Sequence, residues 1–379
     1  MKNDFIEFYG KHNISPVRQD ISNLEKHYER RKKLYKHLGM PVQVFKNAEV
    51  LEVGPGGGYN TLAYFYWGVT HIDLVEGNPK GIHEMRELFT KCNVSEDKYD
   101  IISCMIENYQ TDKKYDVVIA EGFIPSIYNQ KEVIGKLKEL VKKDGIIVIT
   151  CIDYISIFIE NMKRMVGSLL SARIEEYNEK LKWLVDFFGP QLTKLEGVTR
   201  SAEDWVLDNV LNPATSNGMY LSLIEAMDLL GEDFEVLGTS QHMFTDYSWY
   251  KDLTYDIKAD YRKQFCMKRY SLLMANMPEV IVSEQISNIL DNSFKRIDEL
   301  RIEYLNTMEN NFVDQILMEL ERIENYIKEN FDKMFVDVFM ELKEVLANTK
   351  DNKKIVFEEY GNLFAAFGRG QQYISFVRK

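Results

Sequence analysis

Short apolar runs and amphipathic stretches alternate through the first 152 residues of the chain. Each apolar run has the length of a strand, and the stretches between them carry apolar residues at helical spacing. The predicted strands cover residues 50–53, 71–76, 99–104, 115–120 and 146–152. Strands that alternate with helices build a parallel sheet with helices on both faces, so the pattern predicts a doubly wound α/β fold.

The pattern becomes mainly helical outside this region. Residues 21–38 form an amphipathic run, and the basic cluster at residues 27–33 within it is interpreted as a solvated helix face. One face of the run carries Leu24, Tyr28, Arg31, Leu34, Tyr35 and Leu38. Two further strands are predicted at residues 233–238 and 372–377. The chain is therefore divided into an N-terminal helical segment (1–45), an α/β core with the first five strands (46–155) and a helical cap (156–230). The sixth strand (231–250), a helical insertion (251–360) and the seventh strand (361–379) follow.

A regular apolar stripe runs through the last long helical tract. Its members recur every three or four residues and are Ile316, Leu320, Ile323, Ile327, Phe331, Met334 and Val338. Such a stripe must be buried, either against the chain's own core or in a homodimer through the C-terminal helical tract. The spacing lapses around residues 309–311, which argues against a long coiled coil.

Composition restricts the classes of partner and compartment. The chain has 379 residues, 45% of them hydrophobic, and a net charge of −12, which argues against a nucleic-acid partner. No apolar run is long enough to span a bilayer, so no membrane partner and a cytoplasmic location are expected. The four cysteines and the His, Asp and Glu residues show no metal-ligand spacing, so no metal site is predicted.

The first predicted strand ends in a glycine-rich turn, Glu52-Val53-Gly54-Pro55-Gly56-Gly57-Gly58, that precedes a predicted helix. Glycines there permit positive φ and let a ligand approach the backbone. A dinucleotide fingerprint that began at Gly54 would need glycine at position 59, where Tyr59 stands. The Gly-Lys-Ser/Thr ending of a P-loop is also absent.

The remaining pattern, Glu52-x-Gly54-x-Gly56-x-Gly58, resembles motif I of the class I S-adenosylmethionine-dependent methyltransferases. The resemblance covers residues 48–153 and the two late strands. It implies a seven-stranded, mostly parallel sheet, closed by an antiparallel pair of late strands and carrying large helical insertions. It also implies S-adenosylmethionine as cofactor, with Glu52 orienting the turn and the cofactor's ammonium group. The implied contacts around the turn are Glu52, Gly54, Gly56, Gly58, Tyr59 and Asn60.

An acid at the end of the second strand is predicted to bind the ribose. Glu76 follows Gly58 by 18 residues, and the next residue, Gly77, is a further candidate contact of the cofactor. A carboxylate at the carboxyl end of this strand can accept both ribose hydroxyl protons. Asp73 is the competitor, but it lies three residues earlier, on the opposite face and away from that end.

Two later loops complete the site that the resemblance implies. Met105 and Ile106 are expected against the adenine ring, with Glu107 beside its exocyclic amine. Glu121, directly after the fourth strand, is expected beside the transferring methyl and is the candidate catalytic residue. The Asn/Asp-Pro-Pro-aromatic signature of amino methyltransferases is not found at residues 121–124, which weakens nucleic-acid base methylation as a function.

The sequence therefore predicts methyl transfer to an oxygen or nitrogen atom of a small-molecule acceptor. Residues 156–230 are expected to cap the acceptor pocket, and residues 1–45 to form a lid in which Tyr9, Arg18 and Gln19 are candidate contacts. A noncatalytic S-adenosylmethionine-binding protein or a helical scaffold is the alternative. A nicotinamide-dependent oxidoreductase is disfavoured by Tyr59.

Overall fold

The computed structural model describes residues 21–192, 201–212, 218–351, 353 and 355–379. Their helices and strands group into two units. The sheet unit comprises the described residues up to Ile152, together with Met219–Phe244 and Gln371–Lys379. The helical unit comprises the described residues within Asp153–Gly218 and Thr245–Gly370. None of the helices in these ranges is both long and apolar enough to cross a membrane.

The sheet unit is built on a sheet of seven strands. The strands are β1 Glu49–Val53, β2 His71–Glu76, β3 Tyr99–Ser103, β4 Tyr115–Ala120, β5 Val141–Cys151, β6 Phe234–Thr239 and β7 Gln372–Arg378. They lie in the order β3-β2-β1-β4-β5-β7-β6. Strands β1 to β5 are parallel, and β7 is antiparallel to both β5 and β6. The predicted α/β class, with seven mostly parallel strands and large helical insertions, is confirmed.

The helices are longest in the second half of the chain. They are α1 Leu24–His37, α2 Thr61–Tyr66, α3 Pro79–Lys91, α4 Gln130–Leu140, α5 Phe158–Leu170, α6 Tyr177–Leu192, α7 Ala202–Val206, α8 Leu223–Leu230, α9 Ile257–Lys268, α10 Glu284–Thr307, α11 Asn310–Asn330, α12 Lys333–Lys350 and α13 Gly361–Ala365. Helix α8 is predicted to belong to the helical cap of residues 156–230. In the structure it belongs to the sheet unit, where it packs beside α4.

Two predicted boundaries differ from the structure. Helix α2 begins at Thr61 and not at Tyr59, because Asn60 is its N-cap and the preceding turn is not helical. Strand β5 begins at Val141 and not at residue 146. The turn predicted at residues 142–145 is accommodated as an irregularity in the strand, with Asp144 at φ +59° and a shift in the pairing with β4.

Helices α1 and α2 meet in an aromatic cluster on one face of the sheet. Tyr35 from α1 and Tyr64 from α2 are fully buried together with Phe45. The rings of Phe45 and Tyr64 are stacked with centroids 5.2 Å apart, and Tyr35 packs edge-on to Phe45 at 5.1 Å. This packing fixes α1 beside the residues that follow the glycine turn.

The apolar stripe is buried inside the helical unit. Ile316, Leu320 and Ile323 are fully buried on α11, which packs against α10 and α12. Helix α10 ends at Thr307 and α11 begins at Asn310, at the predicted lapse. One member is wrong: Met334 is 42% exposed, because the break between α11 and α12 shifts the helical phase. The stripe is thus covered without a second copy of the chain.

Candidate functional site

The strand order reverses between β1 and β4, so the carboxyl ends of these strands border a crevice where ligands bind in open α/β sheets. The glycine turn leaves β1 at this point. Gly54, Gly56 and Gly58 have φ of +69°, +56° and +75°. A Cβ on Gly58 would lie 2.7 Å from the Met85 side chain, so this glycine is also required by packing against α3.

Glu76 ends β2 and is bonded to the glycine turn. Its Oε2 accepts a hydrogen bond from the Gly56 N–H at 2.8 Å, and its Oε1 accepts one from the Asn78 N–H at 2.7 Å. Burial raises the pKa of Glu76, although the backbone N–H groups of Asn78, Gly56 and Gly77 oppose the shift. A carboxylate has about four lone-pair sites, so Glu76 keeps the capacity to accept a further hydrogen bond from a hydroxyl.

Glu52 lies beneath the turn, on β1. Its side chain is buried and its Oε2 accepts a hydrogen bond from the Thr61 hydroxyl at 2.6 Å. Burial raises the pKa of Glu52 to about 8. Glu52 is therefore largely protonated at neutral pH, and it connects β1 to the first residue of α2.

The loop after β3 carries the residues expected around an adenine ring. The Met105 side chain lies against Gly77, and Ile106 is buried. Oε1 of Glu107 accepts a hydrogen bond from Asn129 Nδ2 at 2.7 Å, whereas its buried Oε2 has no hydrogen-bond partner among the described residues. An unpaired buried acceptor favours a ligand that brings a donor to it.

Glu121 follows β4 and points to α1. Its Oε1 accepts hydrogen bonds from Arg31 Nη2 at 2.8 Å and from the Tyr35 hydroxyl at 2.9 Å. Its Oε2 lies 3.4 Å from Asn60 Nδ2. The Glu121 side chain is thus part of a buried polar cluster between α1 and the end of β4, and both of its oxygens have partners.

Arg31 was not among the site residues that the sequence predicts. Only 6% of it is exposed, and its Nη2 also donates to the Tyr64 hydroxyl at 2.7 Å. Burial opposes its charge, but Glu121 and the two tyrosines hold the pKa of Arg31 well above its usual range. The signal was present in the sequence, because an arginine on the apolar face of a helix requires a buried anion as partner.

The interpretation of residues 27–33 as a solvated face is wrong for two of them. Arg31 and His27 are buried, whereas the other charged members are exposed. His27 Nε2 lies 3.1 Å from the Tyr59 carbonyl oxygen, directly after the glycine turn. Burial, with the nearby Arg31, lowers the pKa of His27, so the neutral imidazole that donates to this carbonyl is favoured. Tyr9, Arg18 and Gln19 lie outside the described residues.

Asp73 lies away from the glycine turn. The Tyr115 hydroxyl donates to its Oδ2 at 2.5 Å and Lys113 Nζ lies 3.0 Å from the same oxygen. Burial opposes ionisation, but these hydrogen bonds lower the pKa of Asp73. The structure also brings His71, Asp73 and Asp100 together, with their ligand atoms within 4.8 Å of one another, near the amino ends of β2 and β3. Sequence spacing does not reveal this group, because Asp100 is on the neighbouring strand.

Part of the chain is similar in sequence to known methyltransferases. Residues 45–221 match the family model described as a methyltransferase domain. Over 151 residues, 39% of this chain, the chain is 30% identical to a ubiquinone biosynthesis O-methyltransferase of Rickettsia bellii (strain OSU 85-389) and 31% identical to that of Rickettsia felis. The chain spans about half the length of these curated relatives, 55% and 54%.

Solved structures with similar regions are more distant. N-methyltransferase NodS from Bradyrhizobium japonicum WM9 is 15% identical, with 40% of this chain and 74% of that chain covered and a TM-score of 0.32. PKMT2 from Rickettsia typhi is 16% identical, with 63% of this chain and 49% of that chain covered and a TM-score of 0.39. The fold assignment rests on the strand order of this chain itself.

Proposed function

We propose that this chain, a class I S-adenosylmethionine-dependent methyltransferase whose residues 45–221 match the model of a methyltransferase domain, transfers a methyl group to an oxygen or nitrogen atom of a small-molecule acceptor. When bound, S-adenosylmethionine supplies an electrophilic methyl group on a sulfonium. The contribution of the protein is to bind and orient the reactants, since positioning lowers much of the barrier to such a displacement.

The free acceptor capacity of two carboxylates carries the proposal. Glu76 is bonded to the Gly56 N–H at one oxygen and to the Asn78 N–H at the other, and its remaining lone-pair capacity would accept ribose hydroxyl protons beside the turn. Glu107 Oε2 is a buried acceptor that has no partner within the described part of the chain, which fits the exocyclic amine of adenine. Met105 and Ile106 would provide the apolar surface for the ring.

The net charge of the chain and the names of its curated relatives both favour a small-molecule acceptor. The net charge of −12 disfavours a polyanionic acceptor such as a nucleic acid. The curated relatives are named as O-methyltransferases of ubiquinone biosynthesis, which favours a hydroxyl group in a small molecule over an amine. The catalytic role of Glu121 stays a prediction.

Calorimetric titration tests the cofactor. The purified chain is titrated with S-adenosylmethionine and, in parallel, with NAD. We expect saturable binding of S-adenosylmethionine alone. Binding of NAD alone would instead support the oxidoreductase alternative.

Methyl transfer is then measured with tritiated cofactor and matched panels of small phenols, aliphatic alcohols and amines. We expect label in a hydroxyl acceptor. Tight cofactor binding without transfer to any of these panels, or to small molecules of a cell extract, would favour the noncatalytic binding protein.

A further inference from the structure

Helix α1 is bonded at two points to the residues that follow the glycine turn and β4. One turn of α1 places His27 Nε2 3.1 Å from the Tyr59 carbonyl oxygen. The next turn places Arg31 Nη2 2.8 Å from Glu121 Oε1. Tyr59 and Glu121 both lie outside α1, so these bonds, together with the aromatic packing, hold the helix against the turn.

The second point is a buried ion pair. The side chains of Arg31 and Glu121 are each 7% exposed, and Tyr35 and Tyr64 fill the space around the guanidinium. Removal of one charge would leave the other buried without a counter-ion, which is far more unfavourable than removal of both. Arg31 and Glu121 therefore act as a single attachment between α1 and the sheet.

The attachment continues into the turn itself. Glu121 Oε2 lies 3.4 Å from the side-chain amide of Asn60, which is the N-cap of α2. Tyr59 is thus bonded to α1 directly, through His27, and Asn60 is linked to α1 through Glu121. A displacement of α1 would release the segment that directly follows Gly58.

We propose that Arg31 is a positioning residue of the cofactor site: through Glu121, Tyr59 and Asn60 it holds the segment after the glycine turn in the conformation that binds S-adenosylmethionine. The proposal rests on the proposed function for the identity of the ligand. It gives Glu121 a role that needs no proton transfer. Cofactor affinity would then depend on how α1 is docked, as well as on the residues of the glycine turn that contact the cofactor.

The experiment uses the full chain and four variants. Arg31→Met keeps the length of the side chain without its charge, Arg31→Lys keeps the charge without the planar fork, and Arg31→Met/Glu121→Gln removes both charges. Arg30→Met is the matched control, because Arg30 is the neighbouring arginine on α1 and is exposed. Each protein is measured by calorimetry with S-adenosylmethionine, by hydrogen exchange over α1, β1 and β4, and by thermal unfolding.

We expect Arg31→Met to weaken S-adenosylmethionine binding by about tenfold or more, with faster exchange in α1 and unchanged exchange in β1 and β4. Arg31→Lys should retain part of the affinity. The double variant should regain thermal stability, because no charge is left unpaired, but not affinity. Arg30→Met should match the parent protein in all three measurements.

Two results would overturn the proposal. One is an unchanged affinity in a folded Arg31→Met variant. The other is recovery of full affinity together with stability in the double variant, which would make the pair merely structural. If the parent protein itself fails to bind S-adenosylmethionine, the proposed function fails. In that case the hydrogen-exchange rate of α1 tests whether Arg31 docks this helix. An unaltered rate in Arg31→Met overturns the docking role, and a faster rate restricted to α1 supports it.

Discussion

Three buried glutamates surround the glycine turn, and their partners give each a different chemistry. Glu52 accepts from a hydroxyl, Glu76 accepts from backbone N–H groups, and Glu121 is ion-paired to Arg31. Beyond the effect of burial, the negative charges of Glu121 and Glu76 raise the pKa of Glu52. Protonation of Glu52 and neutralisation of Glu121 by Arg31 relieve that repulsion.

Glu76→Ala is expected to weaken S-adenosylmethionine binding by about 1.5–3 kcal/mol, the range for hydrogen bonds to a charged group. The loss arises because alanine cannot accept a hydrogen bond from the ribose. Calorimetry measures the affinity, and thermal unfolding measures how much stability is lost with the bonds from the Gly56 and Asn78 N–H groups. Glu87→Ala is the control, since its side chain is exposed on α3. Equal affinities in the two variants would contradict the ribose role.

Glu52→Gln is expected to change how the free energy of unfolding depends on pH. Burial raises the pKa of Glu52 from 4.5 to about 8, so the folded protein favours the protonated acid. This contribution is complete below pH 4.5 and is lost as the pH rises to about 8. The stability of the variant relative to the parent should therefore increase by up to about 1.4 kcal/mol per pH unit in this window.

Urea unfolding of both proteins at several pH values between these limits measures the effect. Glu87→Gln, on the exposed side of α3, provides the control curve. Parallel stability curves for Glu52→Gln and the parent protein would show that Glu52 titrates normally.

At the scale of elements, the glycine turn is held by its neighbours on two sides. The Gly54 N–H donates to the Val75 carbonyl oxygen at 2.9 Å, which joins the turn to β2. Gly58 lies against Met85 and Phe89 of α3. The conformation of the turn is thus set by tertiary contacts as well as by its glycines.

Gly58→Ala is expected to destabilise the protein more than Gly68→Ala. Both glycines have positive φ, +75° and +87°, so both variants carry backbone strain. Only the Cβ at position 58 would overlap other atoms, whereas position 68 has nothing within 4 Å. The difference in the free energy of unfolding should be about 1–3 kcal/mol, the range for overpacking. Chemical denaturation checks it, and equal losses would show that α3 moves aside.

At the scale of the whole molecule, the sheet unit is assembled from three segments of the chain. Strand β7 lies between β5 and β6 although it is separated from β6 by more than a hundred residues of sequence. Long-range pairing of this kind is slow to form and depends on every segment that takes part.

Deletion of residues 371–379 is therefore expected to abolish the cooperative thermal unfolding of the sheet unit and the binding of S-adenosylmethionine. The deletion removes the hydrogen-bond partners of both β5 and β6. Deletion of the exposed Lys379 alone is the control. Circular dichroism and calorimetry measure the two properties, and a truncated protein that unfolds cooperatively and binds the cofactor would contradict the expectation.

The sequence by itself determined the architecture of the sheet and the position of the glycine turn. Apolar periodicity is a local property, so it located the strands of the parallel sheet, although β5 begins earlier than predicted. The closing antiparallel pair was expected from the resemblance to the methyltransferase family. The turn and Glu76 were recognisable because both lie at the carboxyl ends of strands, where ligands bind in this class of sheet.

Only the tertiary structure decided which polar groups meet. Arg31 and Glu121 are 90 residues apart in sequence, and their ion pair depends on how α1 packs across α2. The same is true of the His71, Asp73 and Asp100 group and of the burial of the stripe, where one helix break changed which residue faces the core. Side-chain contacts between distant segments depend on packing and on burial, and no local pattern of residues encodes them.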